Sequence, residues 1–185
     1  MPHPVSRLYV LRSPEGSRYL PDKAMMASTS AGPALPHVAT GAASVWVVFG
    51  CEERAFGFPL ERVREILLPR PFTRLPGCGP EVCGLIGFRG RIVTVFDLGA
   101  VLGLRAAAER PETRLLLTEV GGRTVACAVE VVEGVRPATI TELGRRRTVL
   151  RGIDVDRDAV LGTGEIGGRT FLALDSDRIL GGLLL

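Results

Sequence analysis

From Val45 onward, short apolar stretches alternate with polar and glycine-rich positions, which is typical of β-strands. Strands of this length, separated by turn residues at regular intervals, predict small β-barrels, because closure removes exposed sheet edges. The predicted fold class is therefore all-β, with a few short helices and one helical turn at 59–62. The predicted extended segments are 45–49, 55–58, 63–68, 85–88, 92–96, 113–120, 123–132, 149–153, 159–162 and 169–174.

Aspartates and glycines mark the ends of these segments. Asp97 and Asp175 are each placed to cap a short helix, the first running to Leu102 and the second to Leu180. The pair Gly121-Gly122 is a strong signal for a two-residue hairpin turn. Each half of the sequence thus contains predicted strands followed by a capped short helix, in a similar order.

The chain contains an internal repeat. Residues 54–66 align with residues 123–135 at an offset of 69, and residues 90–102 align with residues 168–180 at an offset of 78. A period near 70 residues is too long for a solenoid and too short for two ordinary full-size domains. We therefore expect two small, related five-stranded β-barrel subdomains that pack as one unit.

The expected organisation is an arm followed by one folded domain. Residues 1–43 are rich in proline and small polar residues, and we predict that they are disordered. Residues 44–185 form the folded domain, with one lobe at about 44–105 and another at about 112–181. An exchange of strands between the lobes is one way to arrange such a repeat.

Composition excludes several classes of protein. The 185 residues are 46% hydrophobic and carry a net charge of +3, with acidic and basic residues interspersed, so a packed core is expected and no large basic field is evident. No apolar run approaches the roughly 18 residues that a membrane helix needs. We read no signal peptide and expect a cytoplasmic protein without direct membrane insertion.

Candidate chemistry is sparse. Both histidines lie in the first 43 residues, so the β region has no histidine for acid–base or triad catalysis. The spacing of the four cysteines does not suit a structural zinc site. We expect no enzyme activity, no metal and no cofactor. The cysteines are Cys51, Cys78, Cys83 and Cys127.

Two further sites are weaker alternatives. The run 145–147 is all arginine and could contact nucleic-acid phosphates, but stacking platforms are scarce, since aromatic residues make up only 5% of the chain. The segment from Asp154 to Glu165 has partial calcium-loop spacing, but Ala159 stands where such loops have glycine. We expect most aromatic residues to pack in the core, namely Trp46, Phe49, Phe56, Phe58 and Phe96.

The most informative local motif is the stretch 83–98, CGLIGFRGRIVTVFDL. Arg89 and Gly90 form a predicted turn between two strands, from which a guanidinium can reach a fixed partner. Glu65 is the candidate partner if its strand is a neighbour, and a bidentate pair would fix the turn at a barrel rim. An ordinary solvated arginine is the alternative.

The order of FGFPLERVREIL, a proline-rich loop and GLIGFRGRIVTVFDL resembles the CheW-like family of chemotaxis coupling proteins, over residues 44–181. The resemblance implies two five-stranded barrels and a non-enzymatic adaptor. It implies two partners: the regulatory domain of a CheA-type histidine kinase and the cytoplasmic tip of a methyl-accepting chemoreceptor. A CheW-like scaffold in a non-chemotactic pathway is a further alternative.

The resemblance also implies a partner-binding surface. Glu65 and Arg89 resemble the paired residues that order the receptor-facing surface, Val63 resembles an apolar contact on it, and Gly90 keeps the turn tight. Family members usually have Asn-Leu where this chain has Gly87-Phe88, which removes a side-chain hydrogen bonder. The expected partner-binding residues are Val63, Glu65, Gly87, Phe88, Arg89 and Gly90.

Overall fold

The computed structural model describes residues 43–108, 110, 112–143 and 150–184. These residues form ten β-strands and two short α-helices. The strands are β1 (Ala43–Cys51), β2 (Arg54–Pro59), β3 (Val63–Leu67), β4 (Val82–Phe88), β5 (Arg91–Asp97), β6 (Arg114–Val120), β7 (Arg123–Val129), β8 (Val131–Thr139), β9 (Val160–Ile166) and β10 (Arg169–Leu174). The helices are α1 (Leu98–Val101) and α2 (Ser176–Gly181).

The strands form two five-stranded sheets, each of which curls into a small barrel. One sheet has the order β3-β6-β7-β5-β4, and we call it the central barrel. The other has the order β8-β1-β2-β10-β9, and we call it the terminal barrel. Each barrel takes strands from both halves of the sequence, so the sheets do not coincide with the two sequence repeats.

The two barrels have the same topology. Replacing β1 to β5 by β6 to β10, and the reverse, converts the strand order of one sheet into that of the other. The single parallel contact of each sheet follows this rule, since β5 pairs with β7 and β10 pairs with β2. The sequence repeat is thus a structural repeat with exchanged strands.

A matching pair of close backbone contacts supports this symmetry. Gly84 and Gly162 lie 78 residues apart and have φ angles of 144° and 152°. A Cβ atom would lie 2.2 Å from the carbonyl oxygen of Thr73 at the first position and 2.4 Å from that of Thr141 at the second. The same threonines form isolated bridges to β4 and β9. Only glycine allows the approaching segment to cover each strand at this distance.

Alternating side chains divide the hydrophobic core into three clusters. One cluster fills the terminal barrel around Trp46 and Phe171, and another fills the central barrel around Val95 and Leu117. The third contains side chains from both sheets, including Phe49, and therefore lies between the barrels. The predicted aromatic core is confirmed, with at most 1% exposure for Trp46, Phe49, Phe56, Phe58 and Phe96.

Most predicted elements are confirmed, and two predictions differ from the structure. The segment 150–153 forms a turn, closed by a hydrogen bond of 3.1 Å from Ile153 N to Leu150 O, whereas we had expected an extended piece. The single predicted strand 123–132 is divided at Glu130 into β7 and β8, and β8 continues to Thr139. Pro137 lies within β8, which is an edge strand, where a missing N–H is tolerated.

Two expectations concern residues outside the described ranges. The predicted disordered arm, 1–43, lies outside them except for its last residue, which begins β1. The arginine run 145–147 also lies outside them. Within the part of the chain that the structure describes, no helix is long and apolar enough to cross a membrane.

Asp97 ties the first repeat to the second. Its carboxylate is buried at 2% exposure and caps α1 by accepting a hydrogen bond of 3.1 Å from Ala100 N. It also accepts hydrogen bonds of 2.8 to 2.9 Å from the backbone N–H groups of Ala107 and Ala108, which begin the connection to β6. Asp175, the equivalent residue in the second repeat, accepts hydrogen bonds from Asp177 N and Arg178 N, and no bond from a backbone N–H group outside α2 to its carboxylate occurs among the described residues.

We predict that Asp97→Ala lowers the free energy of unfolding by about 3 kcal/mol, because it leaves buried N–H groups without an acceptor. Asp175→Ala is the matched control and should cost about 1 kcal/mol, the usual loss for a helix cap. Urea denaturation of both variants measures the difference. Equal losses at the two positions would show that Asp97 acts only as a helix cap.

Candidate functional site

The candidate site lies where the central barrel closes. Glu65 lies on β3 and Arg89 lies in the turn between β4 and β5, and β3 and β4 are the two edge strands of the central sheet. The Nη2 atom of Arg89 lies 2.8 Å from the Oε2 atom of Glu65. The predicted ion pair is therefore formed in the structure, through one hydrogen bond and not the expected bidentate pair, and it spans the gap between the edge strands.

The turn holds Arg89 in an unusual backbone conformation. Arg89 has φ 48° and Gly90 has φ 74°, as in the primed turns that suit a two-residue hairpin. Its flanking residues Phe88 and Arg91 are paired across the hairpin. The left-handed region costs a non-glycine residue about 1 kcal/mol, so an arginine here is unfavourable for the backbone alone.

The two partners of the ion pair differ in exposure. The Glu65 side chain is 16% exposed, whereas the Arg89 side chain is 69% exposed. The carboxylate is thus held against the barrel, and the guanidinium faces solvent. A pair this exposed contributes at most about 1 kcal/mol to stability. The main effect of the ion pair is to hold the exposed Arg89 guanidinium in one direction.

Phe88 provides a second contact for Arg89. The ring is half-buried and packs against the central-barrel core. The Cζ atom of Arg89 lies 4.9 Å from the ring centroid, and the Cζ atom of Arg70 lies 6.0 Å from it. Both distances are within the range of cation–π attraction. One ring therefore contacts two guanidinium groups.

The neighbouring strand positions are open to solvent. Gly87 is exposed, and a Cβ atom there would meet nothing within 4 Å. Its cross-strand partner Ile92 is 78% exposed, the most exposed of the large hydrophobic residues in the described part of the chain. Gly90 is likewise open. Together with Arg89, these residues form a continuous exposed surface at one end of the β4–β5 hairpin.

Val63 does not share this surface. Its side chain is 5% exposed and packs in the cluster between the barrels. The irregular register between Val63 and Glu65 turns the two side chains in different directions. Val63 therefore anchors β3 in the core, while Glu65 stands at the rim.

The terminal barrel has glycine at the positions equivalent to Glu65 and Arg89, and the neighbouring residues Glu133 and Arg169 form its rim ion pair at 2.9 Å. By cross-strand pairing, Glu65 faces Leu117 and Gly134 faces Val48, and Leu117 and Val48 are equivalent strand positions. The turn equivalent to Arg89-Gly90 is Gly167-Gly168, with φ angles of 59° and 80°. The same turn and strand thus form with glycine in place of both Glu65 and Arg89, and the fold does not require the ion pair.

The buried cysteines have no nucleophilic character. Burial raises the pKa of the Cys51 thiol to about 12 and also raises the pKa of Cys127 above its ordinary value. Both therefore remain protonated thiols at neutral pH. No cluster of three or more metal-ligating side chains occurs in the described ranges.

Neither the predicted core aromatic residues nor the acidic segment 154–165 supports an alternative function. The predicted aromatic residues lie in the core and cannot stack on bases. In the acidic segment, Asp156 caps a 3₁₀ turn and Asp158 lies 3.8 Å from the guanidinium of Arg178, so two of its carboxylates have protein partners. The acidic segment therefore does not present a set of carboxylates aimed at one ligand, and the arginine run 145–147 lies outside the described residues.

Comparison with known protein families identifies the domain. The profile of the CheW-like domain matches residues 46–183, which is most of the chain and all of both barrels except the first residues of β1. The chain belongs to the CheW-like family. CheW-like proteins are non-enzymatic scaffolds, so the chain is an adaptor and not an enzyme.

Relatives and a solved structure agree with this assignment. The CheW-like chain is 25% identical over 146 residues to the chemotaxis protein CheW of Rhizobium meliloti (strain 1021), covering 79% of this chain and 92% of that protein. It is 30% identical over 87 residues to protein FrzA of Myxococcus xanthus, covering 47% of this chain and 54% of that protein. The crystal structure of the scaffolding protein TtCheW from Thermoanaerobacter tengcongensis has the same fold, with a TM-score of 0.64 at 21% identity over 80% of this chain and 94% of that one.

Sequence reasoning missed several residues at this CheW-like rim. Arg64 pairs with Glu119 across β3 and β6, and Arg70 reaches Phe88 from the proline-rich connection. Opposite charges on neighbouring strands could have suggested the first pair once the β3–β6 register was known. Nothing local in the sequence indicates the second contact, because it depends on the path of a long connection.

We predict that Arg89→Gly changes the free energy of unfolding of this CheW-like protein by less than about 1 kcal/mol. The loss of a surface ion pair should be offset by relief of the left-handed backbone conformation. Gly167→Arg is the matched control and should be destabilising by about 1 kcal/mol, because Gly134 offers no carboxylate there. Chemical denaturation measures both, and a large loss for Arg89→Gly would contradict the idea that the ion pair is dispensable for folding.

Proposed function

We propose that this chain couples the cytoplasmic tip of a methyl-accepting chemoreceptor to the regulatory domain of a CheA-type histidine kinase, in the cytoplasm. The coupling is binding and relay of packing changes, without chemistry. The receptor contacts the rim formed by Glu65, Arg89 and the exposed residues beside them. The kinase domain, which has the same fold, contacts a different face.

The observation that carries this proposal is the presence of the Glu65–Arg89 pair at only one of two equivalent rims. Glycine at both equivalent positions of the terminal barrel is compatible with the same turn. An arginine with positive φ is unfavourable for the backbone, and an exposed ion pair returns little stability. A binding role explains why the central barrel keeps an arrangement that folding does not need.

The exposed neighbours fit a protein interface. Ile92, 78% exposed, stands beside Gly87, where the surface has no side chain to cover it. An apolar side chain beside a fixed arginine is a common composition for the centre of an interface. The buried Val63 supports the rim indirectly, by holding β3 against the core.

We predict that Arg89→Glu reduces binding to a purified chemoreceptor signalling fragment from the same genome by at least about 10-fold, because it reverses the exposed charge and repels Glu65. Titration calorimetry with the full chain measures the affinity. Gly167→Glu places the same charge in the equivalent turn of the terminal barrel and should leave the affinity unchanged. Unaltered binding of Arg89→Glu, with unaltered stability, would falsify the assignment of this rim.

We predict that the full chain forms a one-to-one complex with the regulatory domain of a CheA-type kinase from the same genome. The Arg89→Glu variant should bind this domain as well as the unmodified chain does, because the kinase contacts another face. Calorimetry tests both statements with the same preparations. If neither partner binds, the chain is a CheW-like scaffold of a different pathway.

A further inference from the structure

We propose that Phe88 is a positioning residue that, with Arg70 and Arg89, forms a seat for a carboxylate side chain of the protein partner. The inference rests on the proposed function, because it concerns the same rim and names the chemistry of the segment that docks there. The partner segment is acidic. The seat consists of the aromatic ring at position 88 and the two guanidinium groups that lie against it.

The first step of the argument is geometric. The ring of Phe88 is anchored in the central-barrel core, so its position is set by the barrel and not by the solvent-exposed side chains. Arg89 contacts this ring at 4.9 Å and the Glu65 carboxylate at 2.8 Å. Two contacts of different kinds thus restrain one guanidinium that is 69% exposed. Restraint before binding lowers the entropy cost of using that group in an interface.

The second step is the balance of charge. Arg70 lies against the same ring, and Arg91 is the cross-strand partner of Phe88. Of these cations, only Arg89 has a carboxylate within ion-pair distance among the described residues. The two guanidinium groups at the ring, with Arg91 paired beside it in the hairpin, are therefore accompanied by one carboxylate among the described residues, that of Glu65. The uncompensated positive charge favours an acidic partner segment.

The third step is the comparison of the two barrels. The residue equivalent to Phe88 is Ile166, which precedes the turn Gly167-Gly168. The terminal barrel therefore forms the same hairpin with an aliphatic residue before the turn and no arginine in it. The aromatic ring is not demanded by the hairpin, and it occurs together with the arginine that it contacts.

The experiment measures affinity for the receptor signalling fragment in the full chain with four substitutions. Phe88→Leu should weaken binding about 3-fold, as expected for the loss of a cation–π contact at an exposed site. Phe88→Tyr should retain the affinity of the unmodified chain. Arg70→Gln should weaken binding and reduce its dependence on salt concentration. Ile166→Leu is the matched control and should have no effect.

A double-mutant cycle separates positioning from packing. If Phe88 acts mainly through Arg89, Phe88→Leu should have a much smaller effect on receptor affinity in the Arg89→Gly background, where only the contact with Arg70 is left to lose. An equal loss in both backgrounds would overturn the proposal, since the ring would then act by packing alone. No loss from Phe88→Leu in the unmodified background would overturn it as well.

Two controls distinguish this inference from the proposed function. Binding to the kinase regulatory domain should be the same for all of these variants. If the unmodified chain binds the receptor fragment and the variants at positions 70 and 88 do not differ from it, this inference alone fails. If the unmodified chain does not bind the fragment, the proposed function fails, and the receptor seat fails with it.

A readout without any partner tests the positioning step. The Nε–H proton of Arg89 should show a ring-current shift in the NMR spectrum of the unmodified chain. The shift should persist in Phe88→Tyr and disappear in Phe88→Leu. A resonance at the position of a free arginine in the unmodified chain would overturn the claim that the ring holds this side chain.

Discussion

The structure depends on the exchange of strands between the two sequence repeats. The first repeat supplies β1 and β2 to the terminal barrel and β3 to β5 to the central barrel, and the second repeat does the converse. Neither repeat can therefore close a barrel alone. The cluster between the barrels, which contains Phe49 from one sheet and Phe96 from the other, joins the two into one core. A displacement of one barrel must move side chains that the other barrel also packs against. A packing change at one barrel can therefore be transmitted to the other.

Much of this arrangement could be predicted from the sequence, because the repeat, the short strands and the aspartate caps are local patterns. The exchange of strands between the repeats could be predicted only as one of two possibilities. Strands of two similar repeats have the same hydrophobic alternation, so they can pair either within a repeat or between repeats. The extent of β8 has no clear signal in the sequence, because Pro137 is tolerated only in an edge strand, and whether a strand lies at an edge is determined by the tertiary structure.

The candidate site likewise contains contacts that could be predicted from the sequence and contacts that could not. The Glu65–Arg89 pair could be predicted, because a glycine-flanked arginine at a hairpin and a nearby glutamate are visible in the sequence, and the family resemblance places them together. The contacts of Phe88 with Arg70 could not, because Arg70 lies in a connection whose path no local pattern determines. The interior position of Val63 depends on an irregularity in the register of β3, which also has no clear sequence signal.

Because the chain contains two equivalent repeats, each residue can be compared with its equivalent in the other repeat. The comparison distinguishes residues that the fold needs from residues that it does not need. Where both repeats keep a feature, as with Asp97 and Asp175 at the helix caps or Gly84 and Gly162 under the approaching backbone, the fold itself explains it. Where only one repeat carries a feature at a cost to the backbone, the fold does not explain it. Arg89 and Glu52 both satisfy the second condition, because their equivalents Gly167 and Gly121 make the same turns without strain. The Glu52 carboxylate accepts a hydrogen bond of 2.8 Å from Arg105 N and so has a role within the fold, whereas the Arg89 guanidinium is largely exposed. This asymmetry is the reason for which we propose the central-barrel rim as the partner-binding surface.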